Sequence, residues 1–171
     1  IIRGLVGSEM CIRDRTEVYL ELIANELKKE KQCLILIPEI ILSNYFKERF
    51  LEKFNFLPAV WHSEISKSKK HKIWHQIISG ETKVVIGARS ALFLPFKELS
   101  LIVVDEEHDP SYKQEDGVIY NARDMAVVRG RFSNSKVILG SATPSLESIY
   151  NVNIGKYLSL IHISEPTRPR I

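Results

Sequence analysis

The sequence predicts an α/β fold, three layers deep, with a mostly parallel sheet between helices. Three observations predict it. Short apolar runs of four or five residues alternate with segments of helical period. One run, Leu101-Ile-Val-Val104, leads straight into Asp105, Glu106, Glu107 and His108; a buried parallel strand reads this way, and open parallel sheets place ligands at the carboxyl ends of their strands. A second run, Lys136-Val-Ile-Leu139, ends in Gly140-Ser-Ala-Thr-Pro-Ser145.

Taken in order, Glu17 to Lys31 carries apolar residues at Val18, Leu20, Leu22, Ile23 and Leu27, a helical period that closes on lysines. Cys33 to Ile37 is a short buried strand stopped by Pro38. Ile40 to Phe54 returns to helix, and Phe56 to Trp61 to strand. Ser66 to Ser79 is a helix with Ser66 as its N-cap and Gly80 just past its end. Thr82 to Ile86 is a strand closed by Gly87. Leu101 to Asp105 and Lys136 to Leu139 are strands separated by a helix near Asn121 to Arg131. Ile1 to Arg15 shows no period, and Leu158 to Ile171, with Pro166 and Pro169, reads as a polar tail.

With 171 residues the chain is long enough for one domain with a real core. Its charged fraction of 26% and hydrophobic fraction of 44% are ordinary for a soluble globular protein, and a net charge of +3 permits nucleic-acid binding without arguing for it. Lys67, Lys69, Lys70, Lys72 and His71 form a basic cluster whose plain reading is a solvated helix face. The two cysteines, Cys11 and Cys33, have no metal-ligand spacing and suggest a reducing, cytoplasmic setting. No apolar run approaches the roughly 18 residues of a membrane span, so no membrane partner is expected.

Carboxylates at a strand end can hold Mg²⁺ and position a water, the two needs of phosphoryl transfer. Asp105 is the candidate metal ligand and Glu106 the candidate base for the water. His108 suits hydrogen bonding or coupling better than metal ligation, because no second histidine stands at ligand spacing. Ser141 and Thr143 place hydroxyls at the next strand end; Thr143 or Ser145 also suits a helix N-cap with Pro144 in the first turn. Arg89 and Ser90 follow a strand in the same way and suit a phosphate backbone, although Arg89 equally suits a structural ion pair. Tyr112, Lys113 and Tyr120 offer stacking faces and charge for single strands, or else form a surface loop with a turn at Gly117. A phosphate-binding Gly-x-x-x-x-Gly-Lys-Ser/Thr run is absent before the first helix, where Arg15-Thr16-Glu17 stands and no lysine occurs before Lys28.

These motifs, in this order, resemble the bacterial replication-restart DNA helicases of superfamily 2. The matching stretches are Thr16-Glu-Val-Tyr-Leu20, Leu36-Ile-Pro-Glu-Ile40, His62-Ser63, Val84 to Phe93, Val104 to Asp109, Ser111 to Gln114, Tyr120 to Asp124 and Gly140 to Ser148. The resemblance covers residues 16–157. It implies a RecA-like P-loop NTPase domain, ATP and Mg²⁺ as cofactors, and 3′-to-5′ DNA unwinding in replication restart, primosome assembly and recombination. It implies Asp105 and Glu106 as the Mg²⁺ and water pair, Thr16 as the last residue of the phosphate loop, and Ser141 and Thr143 as coupling residues. Pro38, Glu39, Arg89 and Ser90 fall in DNA-facing motifs, and Tyr112, Lys113 and Arg123 in a loop that senses single-stranded DNA. The implied partners are forked and single-stranded DNA, other replication-restart proteins and single-strand-binding proteins; the implied location is the bacterial nucleoid.

The family carries Gly-Ser-Gly-Lys where this chain has Arg13-Asp14-Arg15 before Thr16. Residues 1–15 and 158–171 look like translated adapter sequence flanking a partial domain over 16–157. The expected fold is therefore truncated at its first strand, unstable or prone to aggregate, with little ATPase activity. The family's zinc-binding cysteines are not in this sequence. Two other readings are a nucleotide-independent DNA-binding module and a metal-dependent hydrolase built on Asp105, Glu106, His108 and Asp109.

Overall fold

The computed structural model describes residues 2–6, 12–38 and 44–159. Its elements are β1 (Ile2–Val6), α1 (Ile12–Leu27), β2 (Gln32–Leu36), α2 (Asn44–Phe54), β3 (Ala59–Trp61), α3 (Lys67–Ser79), β4 (Val84–Gly87) and β5 (Leu99–Val104). There follow β6 (Lys113–Gln114), β7 (Tyr120–Asn121), α4 (Ala122–Phe132), β8 (Lys136–Ser141), α5 (Leu146–Asn153) and β9 (Leu158–Ser159). Seven strands form one sheet in the order β3-β4-β2-β5-β8-β1-β9, and every pairing in it is parallel. β6 and β7 form a separate antiparallel hairpin.

Alternation along the central strands divides the core in two. In β2, Cys33 and Ile35 face one side with Tyr19, Leu20 and Ile23 of α1 and Phe46 and Phe50 of α2. Leu34 and Leu36 face the other side with Ile73 and Ile77 of α3 and Ala122 and Ala126 of α4. β5 repeats the division: Leu101 and Val103 on the first side, Ile102 and Val104 on the second. Each fully buried Leu, Ile or Val contributes about 1.5–3 kcal/mol, so these two strands anchor the fold.

The helix ends follow local chemistry. The Ser66 side chain accepts from the Lys69 N–H, and Gly80, at φ 81°, returns its N–H to the Ile77 carbonyl. Asn121 caps α4 through the Arg123 N–H. A Cβ on Gly130 would lie 2.2 Å from Val137 Cγ2, so glycine lets α4 press against β8.

Four expectations need correction. Residues 1–15 show no period and the sheet was expected to lack its first strand; instead Ile2–Val6 pairs with Val137–Ser141 across five residues. Three of those five residues are apolar, and the free edge of β8 offers unpaired backbone groups to any extended neighbour. α1 begins at Ile12, ahead of Glu17, because Ile12–Thr16 contains neither glycine nor proline. In the expected tail, Leu158 and Ser159 pair with Arg3 and Gly4. Pro144 lies before the cap of α5, since Ser145 is the capping residue through the Ser148 N–H.

Candidate nucleotide site

The carboxyl ends of β2, β5 and β8 converge on the acid cluster. The Asp105 N–H donates to the Leu36 carbonyl at 2.9 Å, and the Glu107 N–H to the Gly140 carbonyl at 3.0 Å. Between them Glu106 adopts φ 49°. That left-handed conformation costs a residue with a Cβ about 1 kcal/mol or more, and such strain collects at functional turns. The turn sends Glu106 and Glu107 to opposite sides.

Asp105 and Glu106 meet a cation from α1. Arg15 Nη2 donates to Glu106 Oε1 at 2.6 Å, and Arg15 Nη1 lies 3.5 Å from Asp105 Oδ1. Tyr19, one helical turn on, donates its hydroxyl to Asp105 Oδ1 at 2.9 Å. Arg15 is buried at 3% exposure, and its Nε and Nη1 have no hydrogen-bond partner. Burial pushes the Asp105 carboxyl above the usual carboxylate range, although the Tyr19 hydroxyl and Arg15 pull the other way. Burial, with Asp105 beside it, pushes the Tyr19 hydroxyl well up.

His108 links this cluster to β8. Its Nδ1 lies 2.6 Å from Ser141 Oγ and 3.6 Å from Glu106 Oε2, while the Thr143 N–H donates to the same Ser141 Oγ at 3.0 Å. His108 thus stands between Glu106 and Ser141, which contributes its hydroxyl. Thr143 contributes its backbone, with its side chain exposed. Thr16 is buried beside Arg15.

Glu107 belongs to a different network. It is 2% exposed and accepts from the Ser145 N–H (2.7 Å), Ser145 Oγ (3.1 Å) and Arg123 Nη1 (3.3 Å). Arg123 also reaches Ser145 Oγ at 2.7 Å and Asp124 Oδ1 at 2.8 Å. This corrects the expectation for Arg123: its guanidinium is buried as an internal tie and does not face DNA. Tyr112 is corrected likewise. Its ring is 1% exposed and its hydroxyl meets the carbonyls of Asp105 (2.6 Å) and Leu36 (3.0 Å), so it offers no stacking face in this conformation.

Among the other expected DNA-facing residues, Arg89 Nη1 holds the carbonyls of Lys113 (2.6 Å) and Ser111 (3.4 Å), tying the loop after the acids to the end of β4. Pro38, Arg89, Ser90 and Gln114 line one cavity of about 370 Å³. Lys113, exposed, borders a second of about 420 Å³ with Glu107, His108 and Tyr120. Glu39 lies outside the described residues. The sequence reading missed Arg15, Tyr19 and Glu107. The first two had a signal in their four-residue spacing on one helix; Glu107 had none, since three adjacent acids look alike.

Fold and site together define a helicase motor domain: the model of the DEAD/DEAH box helicase family matches residues 15–152, and the chain belongs to that family. Within it the similarity is to the replication restart protein PriA. The chain is 54% identical to that of Rickettsia felis over 157 residues, which is 92% of this chain and 24% of the relative. Against the Bacillus subtilis protein it is 42% identical over 164 residues, 95% of this chain and 20% of the relative. The chain thus spans about a quarter or less of these relatives' length. Among solved structures, RecG bound to a three-way DNA junction matches with TM-score 0.61 at 22% identity, covering 98% of this chain and 21% of RecG. Saccharomyces cerevisiae Dbp5 bound to RNA and ADP BeF3 matches with TM-score 0.63 at 15% identity, covering 94% of this chain and 41% of Dbp5. Both share the RecA-like fold.

No helix among the described residues is long and apolar enough to cross a membrane.

Proposed function

We propose that the chain carries the acidic half of the nucleotide site in the first motor domain of an ATP-dependent helicase, one that unwinds DNA 3′-to-5′ in replication restart and primosome assembly. The observation that carries this reading is the acid pair Asp105–Glu106 at the end of β5, joined through His108 and Ser141 to the end of β8. ATP with Mg²⁺ supplies the phosphoanhydride whose hydrolysis drives the motor. The residues present fit that group: Arg15, a buried cation with two unpartnered donors, stands beside the acid pair. Mg²⁺ bound through one or two carboxylates plus phosphates and water suits an acid pair of this kind.

In this reading Asp105 would hold Mg²⁺ and Glu106 would accept the proton of the attacking water. Thr16 and Arg15 lie on the phosphate side, and His108 relays the state of the acids to Ser141 and Thr143. Pro38, Glu39, Arg89, Ser90 and Lys113 lie on the side offered to forked or single-stranded DNA. Other restart proteins and single-strand-binding proteins are partners of the whole protein at the nucleoid. In the full-length protein, Glu106→Gln abolishes strand-stimulated ATP hydrolysis while DNA binding persists; hydrolysis at the unsubstituted rate overturns the assignment.

This exact polypeptide hydrolyses little or no ATP, because arginine replaces the lysine point charge of the phosphate loop and is not its equivalent. Robust strand-stimulated hydrolysis by the 171-residue chain sinks that statement. The Arg15 contact with both acids also favours a second reading, a DNA-binding module without hydrolysis. Binding of a non-hydrolysable ATP analogue separates the two, since only the motor reading expects it. We also propose that residues 1–15 and 158–171 are adapter-derived. Reading the uninterrupted gene upstream of Thr16 tests this, with a Gly-Ser-Gly-Lys run expected.

A further inference from the structure

α3 carries a pair of histidines that the proposed motor chemistry does not use. His71 and His75 stand four residues apart, on one face of the helix, and both are exposed. Their Nε2 atoms approach to 3.1 Å, with ring centroids 4.3 Å apart and ring planes at 63°.

That separation suits a shared ion. Histidine nitrogens bind Zn²⁺ at about 2.0–2.1 Å, so an ion bound by both nitrogens at this separation would see them about 98° apart, between the octahedral and tetrahedral ideals. We propose that His71 and His75 form a two-histidine chelate for a transition-metal dication of the Zn²⁺, Ni²⁺ or Cu²⁺ class, with water completing the coordination. Imidazole nitrogen suits these ions, whereas Mg²⁺ and Ca²⁺ take oxygen ligands. The site is independent of Asp105 and of the proposed helicase activity.

The surroundings set its strength. Among the described residues no third His, Cys, Asp or Glu gathers with this pair, so water fills the remaining positions and other molecules can enter them. Lys67 and Lys72 lie one turn from His71 and His75 respectively, and both are exposed; their repulsion lowers the affinity, though solvent screens it. Lys70 is drawn away from the pair, donating to the Ser63 carbonyl at 3.1 Å with its Nζ 5.9 Å from the centre of the Trp61 ring. The pair bridges successive turns, so an ion held by both nitrogens binds the helical form alone and stabilises α3.

Direct titration of the full chain with Ni²⁺ and with Zn²⁺, against a chromophoric chelator, tests the proposal. The expected result is one ion bound per chain, with tenfold or greater loss of affinity in His71→Gln and in His75→Gln. His62→Gln retains the wild-type affinity, and millimolar Mg²⁺ does not compete. Because both side chains are exposed, the variants keep the wild-type circular dichroism. At ten times the dissociation constant, the melting temperature of the unsubstituted chain rises by about 3–6 °C, and that of the variants by no more than about 1–2 °C. Wild-type affinity in either variant overturns the chelate, as does no binding at all. Competition by Mg²⁺ overturns it too, because it moves the ion to the acids of β5.

Discussion

Glu106 and Glu107 are adjacent in sequence and opposite in circumstance. Glu107 is 2% exposed and its carboxylate has three donors from Ser145 and Arg123. Glu106 sits in a left-handed turn, meets one Arg15 nitrogen at 2.6 Å, and keeps His108 at 3.6 Å. A carboxylate with its bonding capacity filled has nothing left for a substrate and serves to hold β5, α4 and α5 together. A partly satisfied one beside a cation with unused donors retains capacity for chemistry. The order of the acids at a strand end is therefore less informative than the count of donors each has found.

The sharpest way to break the comparison is Glu107→Ala. It removes the one buried carboxylate of Arg123 and leaves it the exposed Asp124 and Glu147, and such a loss costs about 3–5 kcal/mol; urea unfolding should show the free energy of unfolding fall by that measure. Glu106→Gln should lower the same free energy by about 1 kcal/mol, because the buried Arg15 keeps Asp105 at 3.5 Å and can still donate to the new amide oxygen. Equal losses in the two variants would erase the distinction drawn here.

Between these extremes lies Gly140→Ala. A Cβ there would stand 1.7 Å from the Tyr19 hydroxyl, so Tyr19 must move and release Asp105. The expected cost is about 1–3 kcal/mol. Tyr19→Phe in the same chain recovers part of it, because the ring carbon remains 2.9 Å away. Full additivity of the two substitutions would show that they do not meet.

The smallest effect concerns pH. Burial raises the Asp105 carboxyl, so its contribution to stability is fully present below the unfolded value of about 3.9 and is lost as pH rises through the folded value. Asp105→Asn should remove that part of the decline between pH 4 and neutrality, read as melting temperature against pH. An unchanged profile would mean that Arg15 and Tyr19 already cancel the burial.

Much of this was legible in the chain. Alternation in Cys33–Leu36 and Leu101–Val104 gave both faces of the core, and Ser66 with Gly80 gave the limits of α3, because period and capping are local properties. The position of Asp105 and Glu106 followed from the strand before them. The partners did not follow. Tyr112 and Arg123 looked like DNA contacts because aromatic and basic residues in a loop usually face outward, yet both turn inward to satisfy backbone carbonyls and Glu107. β1 was missed because Ile2–Val6 is too short to show a period, and its pairing depends on the edge of β8, more than 130 residues away in sequence.

The Tyr112 hydroxyl has one proton and two carbonyl neighbours, on Leu36 and Asp105. It cannot fully bond both at once. The Leu36 carbonyl also receives the Asp105 N–H, so it keeps a partner whichever way the proton turns. Whichever carbonyl takes the proton, the tyrosine joins the loop that Arg89 holds to the paired ends of β2 and β5.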